Sequence, residues 1–464
     1  MRAGIKVKVP SGTGLGEGTS MRLKERRRNS TSLIVTRIVP LTHAAAFFHN
    51  FADLFRQAPF SLLFCSFTGL LAGIELSSGT GIELMKELPG LMILIPPAIA
   101  MRGNIYSALV SRLGTSMHLG LFSPSLKKGG VLYQNAYASL LLTLILSVIL
   151  GCLAKVVADV FRMPNAEYIT LPGFILISVI AGLISGIILL GIAIPISVIG
   201  YNRNWDLDNM SSPIITSAGD MITIPSLFFA ATVLLKIEES ALNGLLTVFV
   251  SLFFVIAAVF CAVKGLKLND ATVRRILTES IPMLFLCGML CTLAGIALDK
   301  RLERLIAVPV ILVIVPPFLG ESNALGGILS ARLSSMLHIG TVNPKLFPSK
   351  LVSANFAVIY LFSVFIFSFV GVLSYGASSA IYPGSATPTI VEMLSISLLA
   401  GMLCASFLNL ASYYIAILSF RFGMDPDNDT IPLITSLTDV VGVVCLLLAM
   451  SVILQTSAAC FVCG

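Results

Sequence analysis

Apolar residues recur along this chain in runs near 60–77, 91–113, 134–160, 172–200, 213–235, 240–264, 282–298, 306–333, 352–376, 389–420 and 431–456, each ended by a short polar break. A helix needs roughly 20 apolar residues to cross a hydrocarbon core of about 30 Å, and most runs reach that length. The strict alternation of a membrane barrel strand is missing, and a helix satisfies its own backbone amides where no water can. The pattern predicts about eleven transmembrane helices. The runs 172–200 and 389–420 are long enough to kink or to leave the membrane.

Composition agrees with this pattern: 56% of residues are hydrophobic, 11% are charged, and the mean hydropathy is +0.95, far from soluble usage. The expected class is an all-α polytopic membrane protein. Residues 1–55 differ, because "SGTGLGEG" is flexible and "MRLKERRR" strongly basic, which predicts a disordered cytoplasmic tail. "NSTSLIVTRIVPLTHAA" supplies no good signal-peptide core. Placing the N-terminus in the cytoplasm puts Lys127, Lys128, Arg203, Lys264, Lys267, Arg274, Arg275, Lys345 and Lys350 on the inner face. Lys300, Arg301 and Arg304 then fall outside, against the trend. The +7 net charge fits a basic inner face of a multi-pass cell-membrane protein and needs no nucleic-acid partner. Nine cysteines show no framework spacing and read as apolar helix residues; the terminal "CFVC", with Cys460 and Cys463, is a weak metal motif.

The chain repeats itself. "LMILIPPAIAMRGNIYSALVSRLGTSMHLG" from Leu91 aligns with "ILVIVPPFLGESNALGGILSARLSSMLHIG" from Ile311, about 220 residues later. "WDLDNMSSPIITSAGD" likewise aligns with "MDPDNDTIPLITSLTD", and "LLAGIEL" echoes "TLAGIAL". The reading is a first five-helix repeat over 56–238, a connecting transmembrane helix over 239–266 and a second repeat over 267–464. Five helices is an odd number, so the extra span is what returns the second copy to the orientation of the first. A parallel pseudo-dimer about an axis along the membrane normal is expected.

Each "P.ITS..D" motif carries an aspartate, Asp220 or Asp439, into an apolar span. A carboxylate at a helix centre costs about 2.5–3.5 kcal/mol on insertion scales, and such residues face a pathway or a partner. Thr216 with Ser217, and Thr435 with Ser436, add hydroxyls about one turn earlier. From the rise per residue, Asp220 and Asn104 fall at one depth, and Asn323 falls near it in the second copy beside Glu321, whose counterpart is Met101. Oxygen donors with few carboxylates suit a hydrated Mg²⁺ ion, whereas zinc or copper favours His or Cys. The competing role for these aspartates and amides is hydrogen bonding between helices. His118 and His338 sit at helix ends, where capping is the plain role. Arg102 lies deep and needs a carboxylate partner or must snorkel. Asp206, Asp208, Asp425 and Asp427 cluster in equivalent inner loops, either as a cytoplasmic mouth or as solvated loop charge.

On these motifs the chain resembles the MgtE-type magnesium transporters, and especially their duplicated relatives in solute carrier family forty-one. The resemblance covers nearly everything after the tail. It implies two parallel five-helix MgtE-like units with a pore between them and Mg²⁺ held by the aspartates at Asp220 and Asp439. The asparagine of the family's GN motif falls on Asn104; in the second half "SN" replaces "GN", and Asn323 stands one residue nearer its proline pair. The short tail cannot hold the regulatory domains of bacterial members.

The expected function is therefore transport of Mg²⁺ or a similar divalent cation across a lipid bilayer by a functional monomer, with Asp220, Asp439, Asn104, Asn323, Thr216, Thr435 and Glu321 as candidate ion ligands. A sodium-coupled Mg²⁺ exchanger is the nearest alternative. An intramembrane aspartyl protease would also pair two aspartates, but "TSAGD" and "TSLTD" do not resemble its motifs.

Overall fold

Every element assigned among the described residues is an α-helix, as a backbone crossing a bilayer requires. The computed structural model describes residues 51–118, 120, 122–161, 169–203, 207–239, 243–267, 270–307, 309–382, 388–421 and 426–462, so residues 1–50 of the predicted tail lie outside the described residues, while 52–55, expected to belong to that tail, already form the first turn of a helix. In chain order the helices are α1 (Ala52–Ser77), α2 (Gly79–Glu87), α3 (Leu91–His118), α4 (Val131–Val160), α5 (Leu171–Arg203), α6 (Leu207–Glu238), α7 (Asn243–Lys267), α8 (Ala271–Asp299), α9 (Leu302–Ala307), α10 (Pro309–Ile339), α11 (Lys350–Ile381), α12 (Ile390–Arg421) and α13 (Pro426–Val462). Eleven of them, all but α2 and α9, are long and apolar enough to span a membrane.

The eleven predicted runs coincide with these eleven helices, and the differences have physical causes. The run expected at 282–298 begins a further three turns earlier, at Ala271. Arg274, Arg275 and Glu279 hide that start from an apolar count. Asp270 caps it by accepting from the Thr272 and Val273 amides, and Arg275 pairs with Glu279 at 2.8 Å one turn on. The short α2, capped by Ser78, is too brief for a periodic signal. The two longest runs, α5 and α12, are each one continuous helix.

Corresponding helices end alike. Gly120 and Gly340, at φ +70° and +77°, close α3 and α10 in the left-handed conformation that glycine adopts without strain. Their amides bond back to Met117 and Leu337. The extra helix α7 lies against α4 and α5 through Ala258, which joins Val148, Ile175 and Val179 in a buried cluster. Phe249, Phe253, Ile256 and Phe260 on its remaining face are exposed, as suits lipid contact.

Within the unit that begins at Arg56, the first helix of each half packs on the other half. α8 lies on α3 and α4 as well as on α13. In the same way α1 meets α10 at Gly69 and Gly73, α11 through the edge-on rings of Phe67 and Phe369, and α6 through Cys65 and Ser217. A pair of prolines explains how close this packing is. Pro97 and Pro317 lack the amide that would bond the carbonyls of Ile93 and Val313, four residues earlier. A Cβ built on Gly295 would stand 2.4 Å from the Ile93 carbonyl oxygen, and one on Gly73 2.1 Å from that of Val313. Each freed carbonyl thus faces the bare Cα of a glycine from the other half, a contact of the weak Cα–H···O kind. Ends of the exchanged helices are tied correspondingly: the Tyr382 hydroxyl donates to the Ser77 carbonyl, and Lys300 lies over the Phe161 ring at 5.0 Å.

Gly73→Val and Gly295→Val are each expected to lower the stability of the detergent-solubilised protein by about 1–3 kcal/mol or more through overpacking against backbone. Gly376→Ala, where a Cβ meets open space, is the control that leaves the melting temperature in place.

Candidate ion-binding site

The exchanged helices and the two proline-bearing helices wall a cavity on which matched residues of both halves converge. Leu76 and Leu298, Ile95 and Val315, Pro96 and Pro316, and Ile99 and Leu319 all line it, together with Asp220 and Asp439. The two aspartates are 6% and 5% exposed. Both come from helices whose prolines and hydroxyl-bearing turns precede the acid, α6 and α13.

Asp439 is held in place on both oxygens. Asn323 Nδ2 donates to Oδ1 at 2.7 Å, and the Cys291 thiol donates to Oδ2 at 3.4 Å. Asn323 also lines the cavity and keeps its own Oδ1 without a hydrogen-bond partner. Asp220 Oδ2 instead approaches α10 of the second half, where a Cβ on Gly320 would stand 3.2 Å away. The absence of a side chain at Gly320 leaves that oxygen its room.

Other candidates from the sequence are placed apart from this cavity. Asn104 stands one register position later than Asn323, and one residue turns a helical side chain by about 100°. Asn104 accordingly lines a separate pocket with Arg112, Glu279 and Pro432, and its Oδ1 is 3.1 Å from Thr435 Oγ1. Its amide nitrogen is buried without a partner. Thr216 packs its methyl against Gly103. Glu321 is fully buried and accepts from Ser66 Oγ at 2.5 Å on Oε1, while Oε2 has no partner. Asp206 and Asp425 lie outside the described residues, as do the side chains of Asp208, Asp427, His118 and His338.

Arg102 resolves neither as a snorkel nor as an ion pair. It is 1% exposed, donates to Ser147 Oγ at 2.6 Å and meets no carboxylate among the described residues. Its guanidinium lies where a Cβ on Gly182 would clash; in the second half the Phe367 ring occupies the corresponding place beside Gly401.

Two contacts escaped the sequence reading. Cys291 was expected to be an apolar filler, yet it touches the aspartate. Ser66 and Glu321 occupy the positions that Gly288 and Met101 fill in the other half, a small residue facing a long one each time. The "LAG" echo in α1 and α8 was the available signal, since it fixes which residues of the two helices correspond.

Chemically, the cavity offers two carboxylates and a carboxamide oxygen, all hard donors able to hold a divalent cation. Among the described residues no group of three or more His, Cys, Asp and Glu forms a closed metal site. Carboxylates on an internal cavity of an all-helical membrane protein are groups that an ion pathway uses. The chain belongs to the MgtE family of divalent cation transporters, whose profile matches residues 95–230 and again 315–449. It is 24% identical over 408 residues to solute carrier family 41 member 2 of Mus musculus, covering 83% of this chain and 68% of that one. Solute carrier family 41 member 3 of Rattus norvegicus is 22% identical over 410 residues, covering 83% and 84%. The crystal structure of MATE in complex with Br-NRF aligns with 85% of this chain and 94% of its own at 15% identity, with a TM-score of 0.29.

The facing pairs at the exchanged helices are expected to be coupled. Glu321→Met alone and Ser66→Gly alone should each lower the denaturation midpoint. The double variant, which copies the Gly288 and Met101 arrangement, should recover stability with a coupling energy of about 1–2 kcal/mol in a double-mutant cycle.

Proposed function

We propose that this protein carries Mg²⁺ across the cell membrane along the interface of its two halves, with Asp220 and Asp439 as the central ligands and Asn323 positioning Asp439. The observation that carries this reading is that both aspartates, remote in sequence, line one internal cavity with Asn323. Two carboxylates suit a largely hydrated Mg²⁺ ion, which sheds its waters reluctantly and takes a few charged contacts with several retained waters. Family membership and the solute carrier relatives support a divalent cation as the cargo. The contacts that relate the halves, glycine to freed carbonyl on each side, support a pseudo-twofold arrangement of two repeats in one functional monomer. Asn104 and Thr435, bonded to each other across the halves, form the next polar step along the path. The tail and the basic loops are assigned to the cytoplasm by their charge.

Mg²⁺ uptake into proteoliposomes tests this. The Asp220→Asn, Asp439→Asn double variant should lose uptake by about a hundredfold or more while remaining folded, because both charges that attract the ion are gone. Asn323→Ala should raise the Mg²⁺ concentration for half-maximal uptake by about 10–100-fold, the usual effect of releasing a ligand's anchor. A sodium gradient imposed in the same assay distinguishes an exchanger from a passive path. Uptake unchanged by the double substitution would make the aspartates structural and remove the basis of this assignment.

A further inference from the structure

The two halves differ at one point beside the carboxylates. Cys65 and Cys287 correspond, but Cys291, one turn after Cys287 on α8, has Gly69 as its counterpart on α1. A sulfur therefore stands against Asp439 at a position where the other half has only a glycine. Sulfur and carboxylate ligands at about 2.3 Å and about 2.0–2.2 Å from a tetrahedral ion stand roughly 3.5 Å apart. Cys291 Sγ and Asp439 Oδ2 are 3.4 Å apart. The surroundings add further donors. Ser436 is fully buried beside Cys291, its carbonyl oxygen 3.9 Å from the sulfur, and its buried hydroxyl makes no hydrogen bond of regular geometry. Asn323, which bonds the other oxygen of Asp439, also carries an unpartnered carbonyl oxygen.

We infer that Cys291, Asp439 and Ser436 form a capture site for thiophilic divalent cations of the zinc and cadmium class, opening from the Mg²⁺ path, and that an ion held there blocks Mg²⁺ transport. The inference rests on the reading of Asp439 as part of that path. Mg²⁺ prefers oxygen and leaves the thiol as it is, whereas a thiophilic ion binds the thiolate strongly. On capture the Cys291 S–H bond is replaced by a sulfur–metal bond, and the proton leaves to water. The asymmetry follows: one half supplies the trap, and its counterpart at Gly69 has no ligand to offer.

The test is inhibition of Mg²⁺ uptake by added Cd²⁺ in proteoliposomes, each variant normalised to its own cadmium-free rate. Cys291→Ala should need a Cd²⁺ concentration roughly tenfold or more above that of the native protein for half-block, since even an outer partner of a metal ligand changes affinity by about 10–100-fold. Cys291→Ser, which keeps a polar contact to Asp439, should behave in the same way and guards against a packing defect. Cys152→Ala, a thiol on the far side of α4, should stay as sensitive as the native protein. Equal sensitivity of native protein and both Cys291 variants overturns the inference, as does a native protein that Cd²⁺ does not inhibit. Absence of Mg²⁺ uptake in the native protein would instead count against the proposed function. The site then remains testable on purified protein through the ultraviolet cadmium–thiolate band, which must fall in Cys291→Ala and in Asp439→Asn.

Discussion

A backbone carbonyl in the interior of a membrane protein has no water to turn to, and the proline pairs of α3 and α10 release such carbonyls at Ile93 and Val313. Much of the architecture follows from where those oxygens point. Each meets a glycine of the other half, Gly295 or Gly73, at a separation that no Cβ would tolerate. The helices carrying those glycines are thereby committed to cross over, and the two halves become interdependent. Prolines and glycines that look like weaknesses in a helix are here the two sides of one contact.

This crossing also builds the cavity. Because α1 and α8 lie on the opposite halves, their Leu76 and Leu298 join the proline turns as its walls, and the aspartates of α6 and α13 close it. A largely apolar lining makes an unaccompanied carboxylate costly, so the aspartates require a proton, a hydrogen-bond donor or a cation. Asp439 has donors on both oxygens from Asn323 and Cys291, while Asp220 faces the open space at Gly320. The pair is twofold in position and unequal in chemistry.

The inequality extends through the neighbouring layers. Glu321 with Ser66 stands where Met101 faces Gly288, and Arg102 with Ser147 stands where the second half has Ser322 and Phe367. In each instance volume is conserved across the repeat while polarity is not. After duplication the packing constraint binds both copies equally, because interiors tolerate neither voids nor overlap. Polar character is constrained only where a partner or an ion needs it.

The class, the eleven spans and the correspondence of the two halves are legible in the chain alone, since apolar length and repeated motifs are local properties. Asp220 and Asp439 stand out there too, because a charge in an apolar run is conspicuous wherever the run folds. That Asn323 reaches Asp439 while Asn104 turns to Thr435, that Cys291 lies against a carboxylate, and that the first helix of each half crosses to the other emerge only once the helices are packed. Those outcomes depend on helix rotation to within one residue and on contacts between positions more than a hundred residues apart. A periodic apolar pattern fixes neither when every face of a helix is apolar.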